Sequence, residues 1–242
     1  MRKFIFLAFI LTLASFLTAC SDKELNKSEV MEKIKENTDD VEKYHTVWDV
    51  EIGLEYQNGQ TEQSKLNMDI NADESSNTMW QTIKESDDNH ETTREHYLMD
   101  GNVYENENDS GWKNESMNRT DIKDDLTLAY NKIVTLIEDI EDELEMETDN
   151  DHYILTFEGS SKKVFDAQDE PYSLEVTGFD EDNIHQDMKI KIDKDNLYIE
   201  SVENMVTAEK QQNKLEIEFV QDFSDINDID DIELPEDIEK TN

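Results

Sequence analysis

The side chains that carry most enzyme chemistry are sparse and scattered in this sequence. Five histidines lack the spacing at which pairs of ligands hold a metal ion: His45, His90, His96, His152 and His185. No glycine-rich phosphate loop, nucleophile elbow or HExxH motif occurs. Asp and Glu are so numerous, at 62 residues, that no pair stands out for acid–base work. We therefore predict a protein that is not an enzyme and has no metal site and no cofactor.

Three acidic clusters offer oxygen atoms of the kind that calcium prefers. They lie at residues 87–89, 106–109 and 225–231. None has the spaced ligands and central glycine of an EF-hand loop. Weak calcium binding is one interpretation, and loose binding of counterions is the one that we expect.

The only cysteine, Cys20, has a chemistry set by the residues before it. A basic start leads into an apolar run from Phe4 to Leu17 and then into small residues, the layout of a secretory signal. The sequence Leu17-Thr18-Ala19-Cys20 resembles a lipobox, where the signal is cut before a cysteine whose thiol is then acylated. We predict a signal peptide over residues 1–19 and a lipidated cysteine with a tether over 20–27. The alternatives are an uncleaved anchor and a secreted protein with a chance cysteine.

This processing predicts a protein held at the extracytoplasmic face of the cell membrane by the lipid on Cys20. Residues 28–242 then form one domain, which has no internal disulfide because no other cysteine exists. A net charge of −40 disfavours nucleic acid and anionic lipid headgroups as partners. The acidic excess indicates either a saline exterior that screens the repulsion or a surface selected for solubility.

Strands are the first elements that would position a site. From Tyr44, apolar side chains alternate with polar ones through Trp48, Val50, Ile52, Leu54 and Tyr56, which predicts a long half-buried strand. Asn58-Gly59 then predicts a type I′ hairpin turn with positive φ at both residues. Further strands are predicted at 61–70, 78–84, 91–99, 102–105, 152–158, 172–178, 188–192, 197–206 and 215–219. An antiparallel meander accounts for them most simply.

Helices are predicted where the spacing between apolar residues changes to three and four. One long amphipathic helix is expected from Asp121 to Glu147, with apolar residues on one face at Ile122, Leu126, Ala129, Ile133, Leu136, Ile137, Ile140 and Leu144. A short helix is expected to begin at Ser28 as its N-cap. Residues 160–171 fit a helical turn or two that Pro171 would end. The polar tail from Ser224 is expected to lie along the edge of the domain.

A curved sheet around the long helix would place aromatic residues opposite its apolar stripe. The space between them is either a packed core or an apolar pocket. The candidate ligand-binding residues are Trp48, Tyr56, Trp80, Trp112, Ile133, Ile137 and Ile140.

Several of these features together resemble a known family. They are the lipobox, the short N-terminal helix, the Met99 to Tyr104 hairpin followed by Trp112, the central helix, and the closing segment Phe223 to Glu236. This arrangement is similar to the LolA/LppX-like lipoproteins of Gram-positive bacteria. The resemblance implies an α+β fold, an unclosed antiparallel β-barrel wrapped around a central helix. Better-known relatives carry lipids or lipoproteins in the hollow, and no catalytic residues are implied.

These observations predict a membrane-anchored lipoprotein outside the cytoplasm, non-enzymatic, that binds a lipid or other apolar ligand in the concave face of its sheet. The alternative is a cell-envelope stress or protein-interaction lipoprotein with a packed core and no small-molecule ligand. No motif in the sequence indicates a particular protein partner.

Overall fold

Strands outnumber helices in this chain, whose computed structural model describes residues 24–99, 101–115, 129–174, 176–179, 183–235 and 237–238. The strands are β1 (Lys43–Glu55), β2 (Thr61–Asp73), β3 (Thr78–Asp87), β4 (Glu91–Met99), β5 (Asn102–Glu107), β6 (Lys113–Glu115), β7 (Glu145–Thr148), β8 (His152–Gly159), β9 (Ile184–Asp193), β10 (Ile199–Lys210) and β11 (Asn213–Ser224). The helices are α1 (Lys27–Thr38), α2 (Tyr130–Asp139), α3 (Lys162–Asp166) and α4 (Asp169–Tyr172), with a 3₁₀ turn at Glu141–Glu143.

The strands form one antiparallel sheet that does not close on itself. Its order is β6-β5-β4-β3-β2-β1-β11-β10-β9-β8-β7. The two meanders, β1 to β6 and β7 to β11, are joined where β1 pairs with β11, with Trp48 opposite Gln221. The sheet edges β6 and β7 do not pair with each other in the described part of the chain. This arrangement confirms the predicted unclosed antiparallel sheet of an α+β fold.

The alternation of side chains gives the sheet two different faces. The inner face carries Trp48, Val50, Ile70 and Leu155, which pack with the helices in one cluster that we call the main core. From α2, the main core takes Tyr130, Ile133, Val134, Leu136 and Ile137, each at most 4% exposed. The amphipathic helix is therefore covered by the inner face of the sheet, as its apolar stripe predicts.

The first helix is confirmed, but its predicted cap is wrong. The N-cap is Asn26, whose Oδ1 accepts from the Glu29 N–H at 3.1 Å, while Glu29 Oε2 accepts from the Asn26 N–H at 2.8 Å. This reciprocal pair satisfies two backbone donors at once, whereas Ser28 lies within the helix. The helix therefore begins at Lys27 and buries Val30, Met31 and Ile34.

The first hairpin is also confirmed, but its turn is not type I′. Gly59 has a φ of 81°, and Asn58 is not among the residues with positive φ. The turn is longer than two residues: the Tyr56 N–H donates to the Gln60 carbonyl at 2.8 Å, and the Gly59 N–H donates back to Tyr56. Three-residue hairpin loops commonly consist of a type I turn followed by a glycine in the left-handed conformation.

The central helix is shorter than predicted at its carboxyl end. It ends at Asp139, and Glu145–Thr148 forms β7 paired with β8. Acidic residues at 138, 139 and 141–143 would crowd the negative end of a longer helix. Ile140 and Leu144 are still buried, at 0% and 4% exposure, because the turn returns Leu144 to the main core. The predicted start of the helix, residues 121–128, lies outside the described residues.

The segment after β8 is helical where the sequence was ambiguous. Pro171 does not end a helix; it lies in the first turn of α4, where its missing N–H is not needed. The strand predicted at 172–178 is wrong, since the chain leaves α4 through Ser173 with a φ of 50°. Leu174 and Val176 then pack, half-buried, against the main core.

Candidate functional site

Four of the seven predicted site residues lie inside the main core. Ile133, Ile137 and Ile140 are each 0% exposed, and Trp48 is 8% exposed. The Trp48 ring stacks on Tyr172 of α4 at a centroid distance of 5.8 Å and meets Phe219 edge-on at 6.4 Å. These four residues thus lie buried between the sheet and the helices.

Trp80 and Trp112 lie on the outer face, so the expectation that the three tryptophans face one space is wrong. Met79 belongs to the main core, and period-two alternation turns the next residue, Trp80, to the opposite side. Trp80 stacks on Tyr97 at 6.0 Å, and Trp112 meets Tyr97 edge-on at 5.4 Å. The sequence shows that the side chains of β3 alternate between two faces. It does not show which of the two sets of side chains faces the helix.

The carboxyl-terminal tail covers this outer cluster. Ile238 is 0% exposed against Tyr97 and Tyr104, and Ile232 and Leu234 pack beside it half-buried. A groove of about 410 Å³ remains between Trp80, Tyr97 and the acidic residues of the tail. The outer face therefore has a small core of its own.

Tyr56 joins neither cluster. It follows the last residue of β1, and its hydroxyl donates to Glu62 Oε2 at 2.9 Å across the hairpin. The seven predicted residues therefore fall into three places, and the structure does not bring them together.

The inner face is incompletely covered at the hairpin end of β1 and β2. Four apolar residues of this end are only half-buried, and together we call them the open end: Ile52, Leu54, Leu66 and Met68. On the opposite half of the sheet, inner-face residues such as Leu155, Ile190 and Val202 are 0% exposed. The described helices thus cover one half of the inner face more completely than the other.

Two clefts flank the open end. One of about 830 Å³ is bordered by Leu54, Ala208 and Leu215 with polar residues around them. The other, of about 320 Å³, is bordered by Ile52 and Leu66. Alternation in the sequence assigns these residues to the inner face, but no local signal shows that the helices stop short of them.

A buried polar group lies deeper on the same face, beneath α3 and α4. Asn204 Nδ2 donates to Gln168 Oε1 at 2.7 Å, and Gln168 Nε2 donates to the Val164 carbonyl at 3.0 Å and to Gln186 Oε1. Gln168, Gln186 and Asn204 are each at most 2% exposed. Burial raises the pKa of the neighbouring Tyr172 phenol far above its ordinary value, so that phenol stays neutral. Sequence reasoning missed this group, since buried amides carry no motif.

Neither metal-binding nor membrane-spanning elements occur in the described ranges. No three His, Cys, Asp or Glu side chains there are grouped so that they could hold a metal ion. No helix among those residues is long and apolar enough to cross a membrane. Cys20 lies outside the described residues.

A family model described as a family of unknown function, DUF6612, matches residues 26–242. The chain belongs to the DUF6612 family. The match spans every described helix and strand, so the open end and the buried polar group both belong to the DUF6612 domain. No curated protein matches the sequence.

Solved structures similar to this DUF6612 chain are remote in sequence. A DUF1329 family protein from Desulfovibrio piger is 10% identical over 84% of this chain and 95% of its own, with a TM-score of 0.26. A LolA superfamily protein from Nitrosomonas europaea is 11% identical over 89% and 97%, also at 0.26. A beta-barrel-like protein with the domain of unknown function DUF1849 from Brucella abortus is 10% identical over 76% and 100%, at 0.26. At these values the likenesses say nothing about what the DUF6612 chain binds.

Proposed function

We propose that this DUF6612 protein is a lipid-anchored binding protein outside the cytoplasm, which takes an apolar ligand at the open end of its inner face. One observation carries the proposal: Ile52, Leu54, Leu66 and Met68 form a continuous apolar patch that the helices leave half-exposed. Water contact with such a patch is unfavourable by about 25 cal/mol for each Å². An apolar ligand that covers the patch would recover that free energy.

The register of β1 and β2 makes the patch continuous. Leu66 is paired with Val50 and Met68 with Trp48, so the patch runs from the mouth of the hairpin to the buried interior. Ile52 and Leu54 follow Val50 on the same face at two-residue intervals. A ligand that enters at Leu54 would therefore meet a row of apolar side chains on β1, with Glu62 and Ser64 of β2 opposite its first two residues.

Native mass spectrometry of the protein purified from its own host tests ligand binding. We expect a population heavier than the acylated chain by the mass of one lipid, released when the protein is denatured. A single mass equal to that of the acylated chain alone would contradict the proposal.

Anchoring through Cys20 is a separate part of the proposal and has a separate test. Cells fed radiolabelled palmitate should label the wild-type protein, and Cys20→Ala should remove both the label and the association with membranes. An unlabelled wild-type protein that is released into the medium would refute the anchor while leaving ligand binding open.

One observation favours a second candidate, an interaction protein with no small-molecule ligand. The stripe of α2 is fully buried in side chains of the sheet, as the 0% exposure of Ile133 and Ile137 shows. A sheet whose helix is packed so closely has less room for a ligand. The same mass measurement separates the two candidates, because the interaction protein would carry no lipid.

A further inference from the structure

Three of the polar atoms around α4 on the inner face are buried without a hydrogen-bond partner among the described residues. They are Trp48 Nε1, the Tyr172 hydroxyl and Asn204 Oδ1. Their residues are 8%, 6% and 2% exposed. Buried polar atoms of native proteins almost always bond to protein or to water. Three in one neighbourhood mark a place that suits the polar group of a ligand.

A chain of contacts links the three residues. Trp48 and Tyr172 are stacked, and the Tyr172 ring lies 4.6 Å from that of Phe219. Asn204 is the cross-strand partner of Phe219. Asn204 also binds the side chain of Gln168, whose carbonyl accepts the Tyr172 N–H at 3.1 Å. The three residues therefore belong to one contiguous group between α4 and the sheet.

The amide orientation is fixed by its neighbours, so the free atom of Asn204 is an acceptor. Gln168 Nε2 points at the Val164 carbonyl, which only accepts hydrogen bonds. Gln168 Oε1 must therefore be the atom that faces Asn204, which meets it with its NH₂ group. Asn204 Oδ1 is left as an acceptor without a partner in the described residues, whereas the unpartnered atoms of Trp48 and Tyr172 carry hydrogen and can donate.

The surroundings favour a neutral ligand group. Burial raises the pKa of Tyr172 without a contribution from a charged residue. A buried carboxylate without a cation is strongly disfavoured. A hydroxyl group accepts from Trp48 or Tyr172 and donates to Asn204, and so matches both kinds of atom.

A row of apolar inner-face side chains leads from this group to the open end. Trp48 and Leu54 are six residues apart on β1, a distance of about 20 Å in a strand. Val50 and Ile52 lie between them on the inner face. An acyl chain that extends from the polar group would therefore run along β1 toward the mouth.

We propose that Trp48, Tyr172 and Asn204 bind the head group of an amphiphile, and that they select an uncharged, hydroxyl-bearing head such as that of a monoacylglycerol over a fatty acid anion. This inference rests on the proposed function, because it names the class of the apolar ligand.

Photo-crosslinking of the intact protein in lipid nanodiscs tests this selection. The probes are a long-chain monoacylglycerol and the fatty acid of the same chain length, each with a diazirine in its chain. We expect about tenfold or more labelling of β1 and β2 peptides by the monoacylglycerol relative to the fatty acid. Tyr172→Phe should lower labelling by the monoacylglycerol about three- to tenfold, because one hydrogen bond is lost.

Tyr130→Phe is the matched control. Its hydroxyl is also buried, but it accepts the Ile199 N–H at 2.9 Å and does not face the polar group. Labelling of this variant should equal that of the wild type. Equal labelling by the fatty acid, or no effect of Tyr172→Phe, would overturn the inference and show that the three atoms hold water only. If neither probe labels the inner face of the wild type, the proposed function itself fails.

Discussion

Two buried tyrosines of the main core have opposite hydrogen-bonding situations. Burial raises the pKa of both phenols, so both are neutral over the whole physiological range. The Tyr130 hydroxyl accepts a backbone N–H at the start of β10, whereas the Tyr172 hydroxyl has no partner in the described residues. Removal of a hydrogen-bonded hydroxyl changes the free energy of unfolding differently from removal of an unpartnered one. The two tyrosines therefore allow a test at the scale of single residues.

Tyr130→Phe should reduce the free energy of unfolding by about 1 kcal/mol, since the Ile199 N–H would lose its acceptor. Tyr172→Phe should leave the free energy of unfolding of the ligand-free protein unchanged or raise it, because the hydroxyl that it removes is buried without a partner. Urea unfolding followed by tryptophan fluorescence measures both changes. A loss in Tyr172→Phe as large as that in Tyr130→Phe would show that its hydroxyl is satisfied.

The candidate site was predictable from the sequence only in part. Alternation assigned Trp48 and the aliphatic residues of β1 to one face, and the structure agrees. The curved sheet was expected to place Trp80 opposite the helix as well, but Trp80 lies on the outer face of β3. Tyr172 and Asn204 could not be found, because their proximity depends on pairing between segments that are far apart in the chain.

At the scale of elements, the capping of α1 is the clearest local determinant. Asn26 and Glu29 satisfy each other's backbone donors, and the helix that they start contacts α2 and carries Ile34 into the main core. Lys27 then donates to the carbonyls of Glu141 and Leu144 at 2.7 and 2.8 Å. The cap therefore also positions the turn that follows α2.

Asn26→Ala should lower the free energy of unfolding by about 1 kcal/mol, within the usual range for loss of an N-cap. Ser28→Ala is the control, since Ser28 is exposed within the helix and has no role in the cap. Chemical denaturation monitored by circular dichroism compares the two. A larger loss in Ser28→Ala would restore the capping role that the sequence had suggested for it.

Strands and hairpins were predictable because period-two alternation and turn glycines are local signals. The carboxyl end of α2 was not, since Ile140 and Leu144 keep the spacing of a helix although β7 begins immediately after them. The pairing of β1 with β11 unites the two meanders. It joins the two ends of the domain, so no local sequence pattern predicts it.

At the scale of the whole molecule, the dominant property is a net charge of −40. Such repulsion opposes compaction, and salt reduces it as the Debye length shortens. The ion pairs with lysine, such as Lys191 Nζ to Glu203 Oε1 at 2.7 Å, are too few to neutralise the excess. The fold should therefore gain stability from dissolved salt.

The urea midpoint should rise between about 0.01 M and 1 M salt, where the Debye length falls from about 30 Å to about 3 Å. NaCl and KCl should act equally, because screening depends on ionic strength alone. An additional effect of CaCl₂ at matched ionic strength would indicate cation binding by the acidic clusters. A midpoint independent of salt would contradict the screening argument.

The central claim is that the open end of the inner face binds an apolar ligand, and a matched pair of variants tests it. Leu66 and Val47 are half-buried apolar residues on neighbouring strands, but Leu66 lies on the inner face of β2 and Val47 on the outer face of β1. Native mass spectrometry of Leu66→Asn and Val47→Asn, purified from the host, compares the fraction of each protein that carries a lipid. We predict that Leu66→Asn loses the lipid and that Val47→Asn keeps it. Equal lipid occupancy in the two variants, or none in the wild type, would contradict the account.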